Sequence, residues 1–182
     1  TQGVSSAASD VYKRQDMTLA AVVEPTPAGR LWAGSLAGPV FADHLAMLEA
    51  VRPDAAIVAT PNATHVDVAI DCLRHGAAAL VEKPVADTLD EARRLLAAEQ
   101  EYGLPVLVGH HRRHNPILRR ARDIVASGRL GTVLSATALA TFLKPDSYFD
   151  MAWRRQAGGG PVLINLIHDI DLLRFLMGDI QS

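Results

Sequence analysis

Short apolar runs alternate with one-sided stretches from residue 17 to residue 108. Met17 to Val23 is almost wholly apolar and closes on Glu24-Pro25, the pattern of a parallel strand buried on both faces. Pro27 to Gly34 reads as a short helix and Val40-Phe41 as a short strand. A helix opens at Asp43, sets Leu45, Met47, Leu48 and Val51 on its apolar side and stops at Pro53. Ala55 to Ala59 is the next strand, followed by a helix that Asn62 caps, that runs to Arg74 and that Gly76 ends. Ala77 to Val81 is another buried strand, Thr88 to Tyr102 a helix, and Pro105 to Val108 a further strand. Apolar strands alternating with amphipathic helices at this spacing predict an α/β fold with a doubly wound parallel sheet.

The pattern changes in the second half. Ile117 to Ser127 is helical, Gly128 and Gly131 interrupt it, and Thr132 to Phe142 carries β-branched residues in rough alternation, which predicts one long, half-exposed strand. A domain boundary is expected between about 112 and 130. Residues 16–111 then form the first domain and residues 112–182 the start of an α+β second domain. A loop from Lys144 to Gln156, with Trp153-Arg154, leads through Gly158-Gly159-Gly160-Pro161 to a helix from about Leu163 to Met177. That helix is apolar nearly all round, broken by Asn165, His168, Asp169 and Asp171. Asn165, His168 and Asp171 recur every three residues and share one stripe. Polar groups in line on a buried helix face a pocket, or they are structural partners of one another.

Composition narrows the function. With 18 basic against 20 acidic residues in 182, the chain offers no basic surface for nucleic acid, and no apolar stretch reaches the roughly 20 residues of a membrane span. Cys72 is the single cysteine, so no internal disulfide forms and a reducing compartment, cytoplasmic by default, is the natural setting. Its place among Val66, Ala69, Ile70 and Leu73 suits a small buried apolar residue. Thr1 to Gln15 has neither an amphipathic period nor a signal-peptide core, and reads as a disordered tail or as non-native sequence.

Candidate chemistry gathers where the strands end. Ligands of open α/β sheets bind at the C-terminal strand edge, and Val81-Glu82-Lys83-Pro84 puts a lysine there before an abrupt proline. Glu24 ends the first run in the same way. In a dinucleotide-binding fold such an acid takes the adenosine ribose hydroxyls, about 20 residues past a G-x-G-x-x-G loop. Only Gly3 lies where that loop belongs, so either Glu24 is a turn acid or the first strand and phosphate loop are missing. The helix start after Thr60-Pro61-Asn62-Ala63-Thr64-His65 suits phosphate or ribose oxygens, and equally suits ordinary capping. Gly109 to Pro116 carries His110, His111, Arg112, Arg113 and His114; it is either a solvated turn or part of the edge site, with Arg113 a cofactor contact. These histidines have no carboxylate or thiolate near them in sequence, so no metal site is expected.

Glu24, Thr60-Pro61-Asn62 to His65, Glu82-Lys83-Pro84, and Gly159-Gly160 followed by His168-Asp169-Ile170-Asp171 occur in one order at workable spacings. Together, from about Met17 onward, they resemble the glucose-fructose oxidoreductase, inositol dehydrogenase and rhizopine catabolism family, Gfo/Idh/MocA. The resemblance implies a partial NAD(P)-binding Rossmann domain without its first strand and an incomplete second domain, hence a chain truncated at both ends. It implies that Lys83 contacts the nicotinamide ribose and the substrate hydroxyl, while Glu82 and Pro84 hold the turn, commonly through a cis peptide. Thr60, Pro61, Asn62 and His65 would line the cofactor, with Trp153 and Arg154 reaching it from the second domain. His168 would transfer the proton, and Asn165 and Asp171 would face the substrate. Many members carry a carboxylate four residues before this histidine; here Ile164 stands there, beside Asn165. Asn165 can orient a hydroxyl but cannot take its proton, so the route falls to His168 and Lys83, or the register of the loop differs.

These roles describe an NAD-dependent oxidoreductase acting on a secondary alcohol of a sugar, cyclitol or related polyol. The hydroxyl proton needs an acceptor with a pKa near the working pH, which histidine has and which a lysine in a partly buried cofactor site can approach. Glu24 favours NAD, because its carboxylate repels the 2′-phosphate of NADP. Two other readings stay open: a glycoside hydrolase that uses held NAD transiently, and a non-catalytic nucleotide- or sugar-binding protein. The resemblance also implies a homo-oligomer for the full-length protein.

Overall fold

The structure, a computed structural model, describes residues 16–36, 38–156 and 160–180, apart from the side chains of Trp153 and Val162. The expected tail 1–15, Gly3 within it, and the glycines Gly158 and Gly159 lie outside the described residues. Two compact units divide the chain, residues 1–109 and residues 110–182.

In the first unit β1 (Val22–Val23) pairs in parallel with β2 (Val40–Phe41). A second parallel sheet runs in the order β3 (Ala55–Val58), β4 (Ala78–Val81), β5 (Val106–Val108), with Ala55 opposite Ala78 and Ala79 opposite Val106. Parallel neighbours need crossovers, and helices supply them. Helix α1 (Pro27–Ala33) joins β1 to β2, with Thr26 capping it and a proline in its first turn. Helix α2 (His44–Val51) is capped by Asp43 and closed by Arg52 in the left-handed region at φ 50°. Helix α3 (His65–Arg74) links β3 to β4, and α4 (Leu89–Tyr102), capped by Thr88 and closed by Gly103, links β4 to β5. Leu48, Val58, Val66, Ala69, Cys72, Leu73, Val81 and Leu95 form the core that the sheet and these helices share.

The first apolar run is corrected: it forms a ladder only over Val22–Val23 and is half-buried, because among the described residues β2 is its one partner. Leu45 does not join the apolar side of α2. It lies roughly 200° round the helix from Met47 and is exposed, while Met47 and Leu48 take the core. The Asn62 cap is also corrected. A 3₁₀ turn, Asn62–Thr64, precedes α3, and no side chain caps either element. Strand β5 is a sheet edge, so Leu107 is 60% exposed rather than enclosed.

In the second unit a 3₁₀ turn (His111–His114) leads into α5 (Pro116–Ala126), capped by the Asn115 carboxamide oxygen. The long strand expected over Thr132 to Phe142 is absent: no described residue pairs with this segment, and Leu134 is 91% exposed. Sequence alternation marks a surface fit for a sheet, but a strand exists only with a partner to complete its ladder. Two 3₁₀ turns follow, Asp146–Asp150 and Ala152–Arg155. The expected final helix is divided into a π-helical turn, Val162–Leu166, and α6 (Ile167–Met177), which packs on α5. Among the described residues no helix is long and apolar enough to cross a membrane, and no group of His, Cys, Asp and Glu could hold a metal ion.

Burial pushes the Cys72 thiol up to about 11, so it stays protonated. Iodoacetamide at neutral pH is expected to label Cys72 only in denaturant, as read by mass spectrometry. Leu73, fully enclosed between α3 and the sheet, should cost about 2–5 kcal/mol when replaced by alanine, measured by urea unfolding followed by circular dichroism.

Candidate active site

Because β3 and β4 run parallel in register, the turns after them leave the sheet at the same edge. Thr60 and Pro61 are exposed there and Asn62 is half-buried. His65 ties the two turns together. Its Nε2 lies 2.8 Å from the Thr60 carbonyl oxygen and its Nδ1 2.8 Å from the Pro84 carbonyl oxygen, and the residue is 1% exposed. The His65 ring, expected to line the cofactor, is enclosed against the backbone of both turns, and its packing there helps to set the turn that carries Lys83.

That turn has a cis Lys83-Pro84 peptide. Glu82 donates its N–H to the Val58 carbonyl at 2.9 Å, and its carboxylate accepts the Lys83 N–H at 3.3 Å. Gly109, at the end of β5, donates to the Val81 carbonyl at 2.8 Å. A Cβ on Gly109 would stand 3.0 Å from Glu82 Oε2 and 3.3 Å from Glu82 Cα, so only glycine lets β5 close against the Glu82 turn without displacing it. Lys83 itself is half-buried.

Glu24 follows β1 directly. Its Oε1 accepts from the Thr26 amide at 2.8 Å and the Thr26 hydroxyl at 2.7 Å. The Thr26 hydroxyl, then its amide, then the Arg30 guanidinium hold the Glu24 carboxyl below the usual range. Arg30 also clamps the turn, donating to the carbonyls of Glu24 at 3.1 Å and Pro25 at 2.6 Å. A Cβ at Gly29 would overlap the Glu24 side chain, so the glycine makes room for the carboxylate. The result is an ionised carboxylate at a strand end, with no hydrogen bond to its Oε2 from the described residues, which fits the vicinal hydroxyls of a ribose.

In the second unit the His111–His114 turn and α6 are joined by charge. Arg113 grips Asp171 with Nε 2.9 Å from Oδ2 and Nη2 2.6 Å from Oδ1, and Arg112 Nη1 donates to Asp169 Oδ1 at 2.9 Å. The Asp171 side chain is 7% exposed, and its carboxylate raises the pKa of the Arg113 guanidinium. His110 Nδ1 lies 3.6 Å from Asp171 Oδ2. His168, 8% exposed, meets the His111 ring edge-on at 5.0 Å and the His110 ring at 6.4 Å. The charge run is thus tied down in part: Arg112 and Arg113 are half-buried and paired, while His111 and His114 are exposed. Arg113, read as a cofactor contact, holds Asp171, and Asp171, read as a substrate contact, is neutralised by Arg113.

The expected stripe is divided as well. The π-helical turn sets Asn165 in a different register from α6. Asn165 Oδ1 accepts from Lys144 Nζ at 3.1 Å, whereas His168 and Asp171 both meet the His110–Arg113 segment. Ile164 is half-buried. Arg154 donates from Nη1 to the Tyr148 carbonyl at 2.9 Å and stacks 4.2 Å over the Tyr148 ring. The Trp153 side chain lies outside the described residues. Sequence reasoning passed over Lys144 and Tyr148 as loop. One signal was present: the chain has three lysines, and both Lys83 and Lys144 precede a proline.

A parallel α/β unit with a lysine turn at its ligand edge, followed by a second unit with a buried histidine, defines a class of two-part dinucleotide-dependent protein. The sequence profile described as "Oxidoreductase family, NAD-binding Rossmann fold" matches residues 4–110, and that of the GFO/IDH/MocA C-terminal domain matches residues 118–182. The chain belongs to the GFO/IDH/MocA oxidoreductase family. It is 37% identical over 127 residues to 1,5-anhydro-D-fructose reductase of Ensifer adhaerens, covering 69% of this chain and 38% of that protein. With the rhizopine catabolism protein MocA of Rhizobium meliloti it shares 32% over 163 residues, covering 88% of this chain and 49% of MocA. The chain thus spans about half or less of the length of these curated relatives. The WlbA dehydrogenase of Bordetella pertussis, solved with NADH and UDP-GlcNAcA, has the same fold at a TM-score of 0.88 and 24% identity, over 94% of this chain and 51% of that one.

The lowered Glu24 pKa has a definite sign. Its stabilising contribution is present above the usual value of 4.5 and is lost as pH falls through the lower value of the folded state. Replacing Thr26 by valine should bring the Glu24 pKa, titrated by NMR, back toward 4.5, whereas serine at that position should keep it low.

Proposed function

We propose that the protein is an NAD-dependent oxidoreductase that moves a hydride between a secondary alcohol of a sugar, cyclitol or related polyol and nicotinamide. The observation that carries this reading is Lys83, fixed by the His65 bridge at the ligand edge of an NAD-binding Rossmann sheet. Relatives named 1,5-anhydro-D-fructose reductase and inositol 2-dehydrogenase support the substrate class. Residues 16–111 serve as the cofactor domain and residues 112–182 begin the substrate domain. NAD, when bound, supplies the hydride acceptor. Glu24 would hold the adenosine ribose and disfavour a 2′-phosphate, so NAD is used in preference to NADP. Thr60, Pro61, Asn62 and Glu82 shape the edge on which the cofactor lies, and Lys83 donates to the substrate oxygen.

On the substrate side His168 takes the hydroxyl proton at its imidazole. With Ile164 four residues before His168, the proton falls to His168 or to Lys83, and Asn165 orients the hydroxyl. Asp171 and Arg113 act one step back, as a pair that holds the His110–His114 segment around His168. The protein works in the cytoplasm as a homo-oligomer.

The test uses the longest reading frame that contains this chain, with NADH formation followed over a panel of polyols. Lys83→Ala should lower turnover at least ~100-fold while NADH binding stays measurable by fluorescence. Undiminished turnover in that variant contradicts the assignment.

A further inference from the structure

Lys144, Tyr148 and Asn165 form a second cluster of donors in the second unit. Four arginines of the second unit, Arg112, Arg113, Arg122 and Arg174, each pair with an aspartate, and Arg154 stacks on the Tyr148 ring and donates to its carbonyl. Lys144 differs. Its Nζ donates to the neutral Asn165 carboxamide at 3.1 Å and lies 4.8 Å from the Tyr148 ring centroid and 5.7 Å from that of Phe142. Asp146 and Asp150 on the same loop are exposed, and neither makes an ion pair with it. The side chain is half-buried, so its charge is answered by an amide dipole and aromatic faces instead of a carboxylate. Two atoms beside it, Tyr148 Oη and Asn165 Nδ2, are buried with no hydrogen-bond partner among the described residues. Buried polar atoms in folded proteins are nearly always satisfied, so such a pair calls for an explanation.

The chemistry of the three groups is one-sided. An ammonium, an amide N–H and a phenol O–H all donate, and a group that accepts several such bonds beside a positive charge is an anion. Asn165 stands one turn before His168, which places this cluster next to the candidate proton acceptor along the chain. We propose that Lys144, with Asn165 and Tyr148, forms a subsite for an anionic group, a carboxylate or a phosphate, carried by the sugar substrate. The inference rests on the reading of the protein as a sugar or polyol oxidoreductase and narrows its substrate to an acidic sugar. A neutral cyclitol would leave the Lys144 charge unanswered, and lysine, a compact strongly hydrated ammonium, suits either anion.

Calorimetric titration of the chain with D-glucuronate, glucose 6-phosphate and D-glucose tests it. At least one of the two acids should bind about tenfold or more tightly than glucose, with an advantage that shrinks as salt is raised. Lys144→Met should abolish the advantage, Lys144→Arg should keep part of it, and Tyr148→Phe, which retains the ring, should lower it severalfold. Preference for glucuronate alone identifies a carboxylate, and preference for the phosphate alone identifies a phosphate. Equal binding of all three sugars, binding of none, or a preference that survives in Lys144→Met overturns the proposal. Titrating NADH in parallel into the longest reading frame that contains this chain checks the oxidoreductase reading by itself: NADH bound without acid preference sinks the subsite alone, and no NADH bound counts against the wider reading.

Discussion

The His65 ring, bridging the carbonyls of Thr60 and Pro84, is the contact on which the geometry of the first unit depends. A backbone turn has little to hold it except its own hydrogen bonds. Here two turns from neighbouring strands pack on one buried side chain, and leaving a carbonyl there unsatisfied would cost about 1–3 kcal/mol. Parallel pairing of β3 and β4 brings the turns to one edge, and the close approach of Gly109 to Glu82 stops β5 against them. Lys83 inherits its position from these constraints.

The second unit uses charge for the same purpose. Arg112 with Asp169 and Arg113 with Asp171 fasten the turn after Gly109 to α6, and between them they set His110 and His111 around His168. A nearly buried Asp171 is tolerable only because a bidentate guanidinium answers it. Lys144 stands apart from this pattern, since its partner is a neutral amide. The aspartates of α6 are thus paired with arginines, whereas the π-helical turn before it meets the loop residue Lys144 through a neutral amide.

Much of the fold was legible. Apolar runs closed by Pro or Gly located β3 to β5, and Asp43 and Thr88 mark the helix starts that they cap. Thr132 to Phe142 misled, because β-branched alternation describes a surface and not the partner that surface requires. The Asn165, His168, Asp171 stripe misled for a different reason: spacing by three assumes a regular α-helix, and the π-helical turn breaks that regularity. Lys83 could be read as a site residue because a strand end and a proline mark it locally. Lys144 could not, since its significance lies in which residues it fails to meet.

The order of strands and helices, the caps and the position of Lys83 at a sheet edge were determined by the sequence itself, since each depends on residues adjacent along the chain. Tertiary structure alone decided what each polar side chain is for. His65 became a bridge, Arg113 and Asp171 became each other's partners, and Lys144 was left facing an amide. The physical reason is range. Propensity and capping act over a few residues, whereas the separation of 19 positions from His65 to Pro84, or of 58 from Arg113 to Asp171, is closed only by folding.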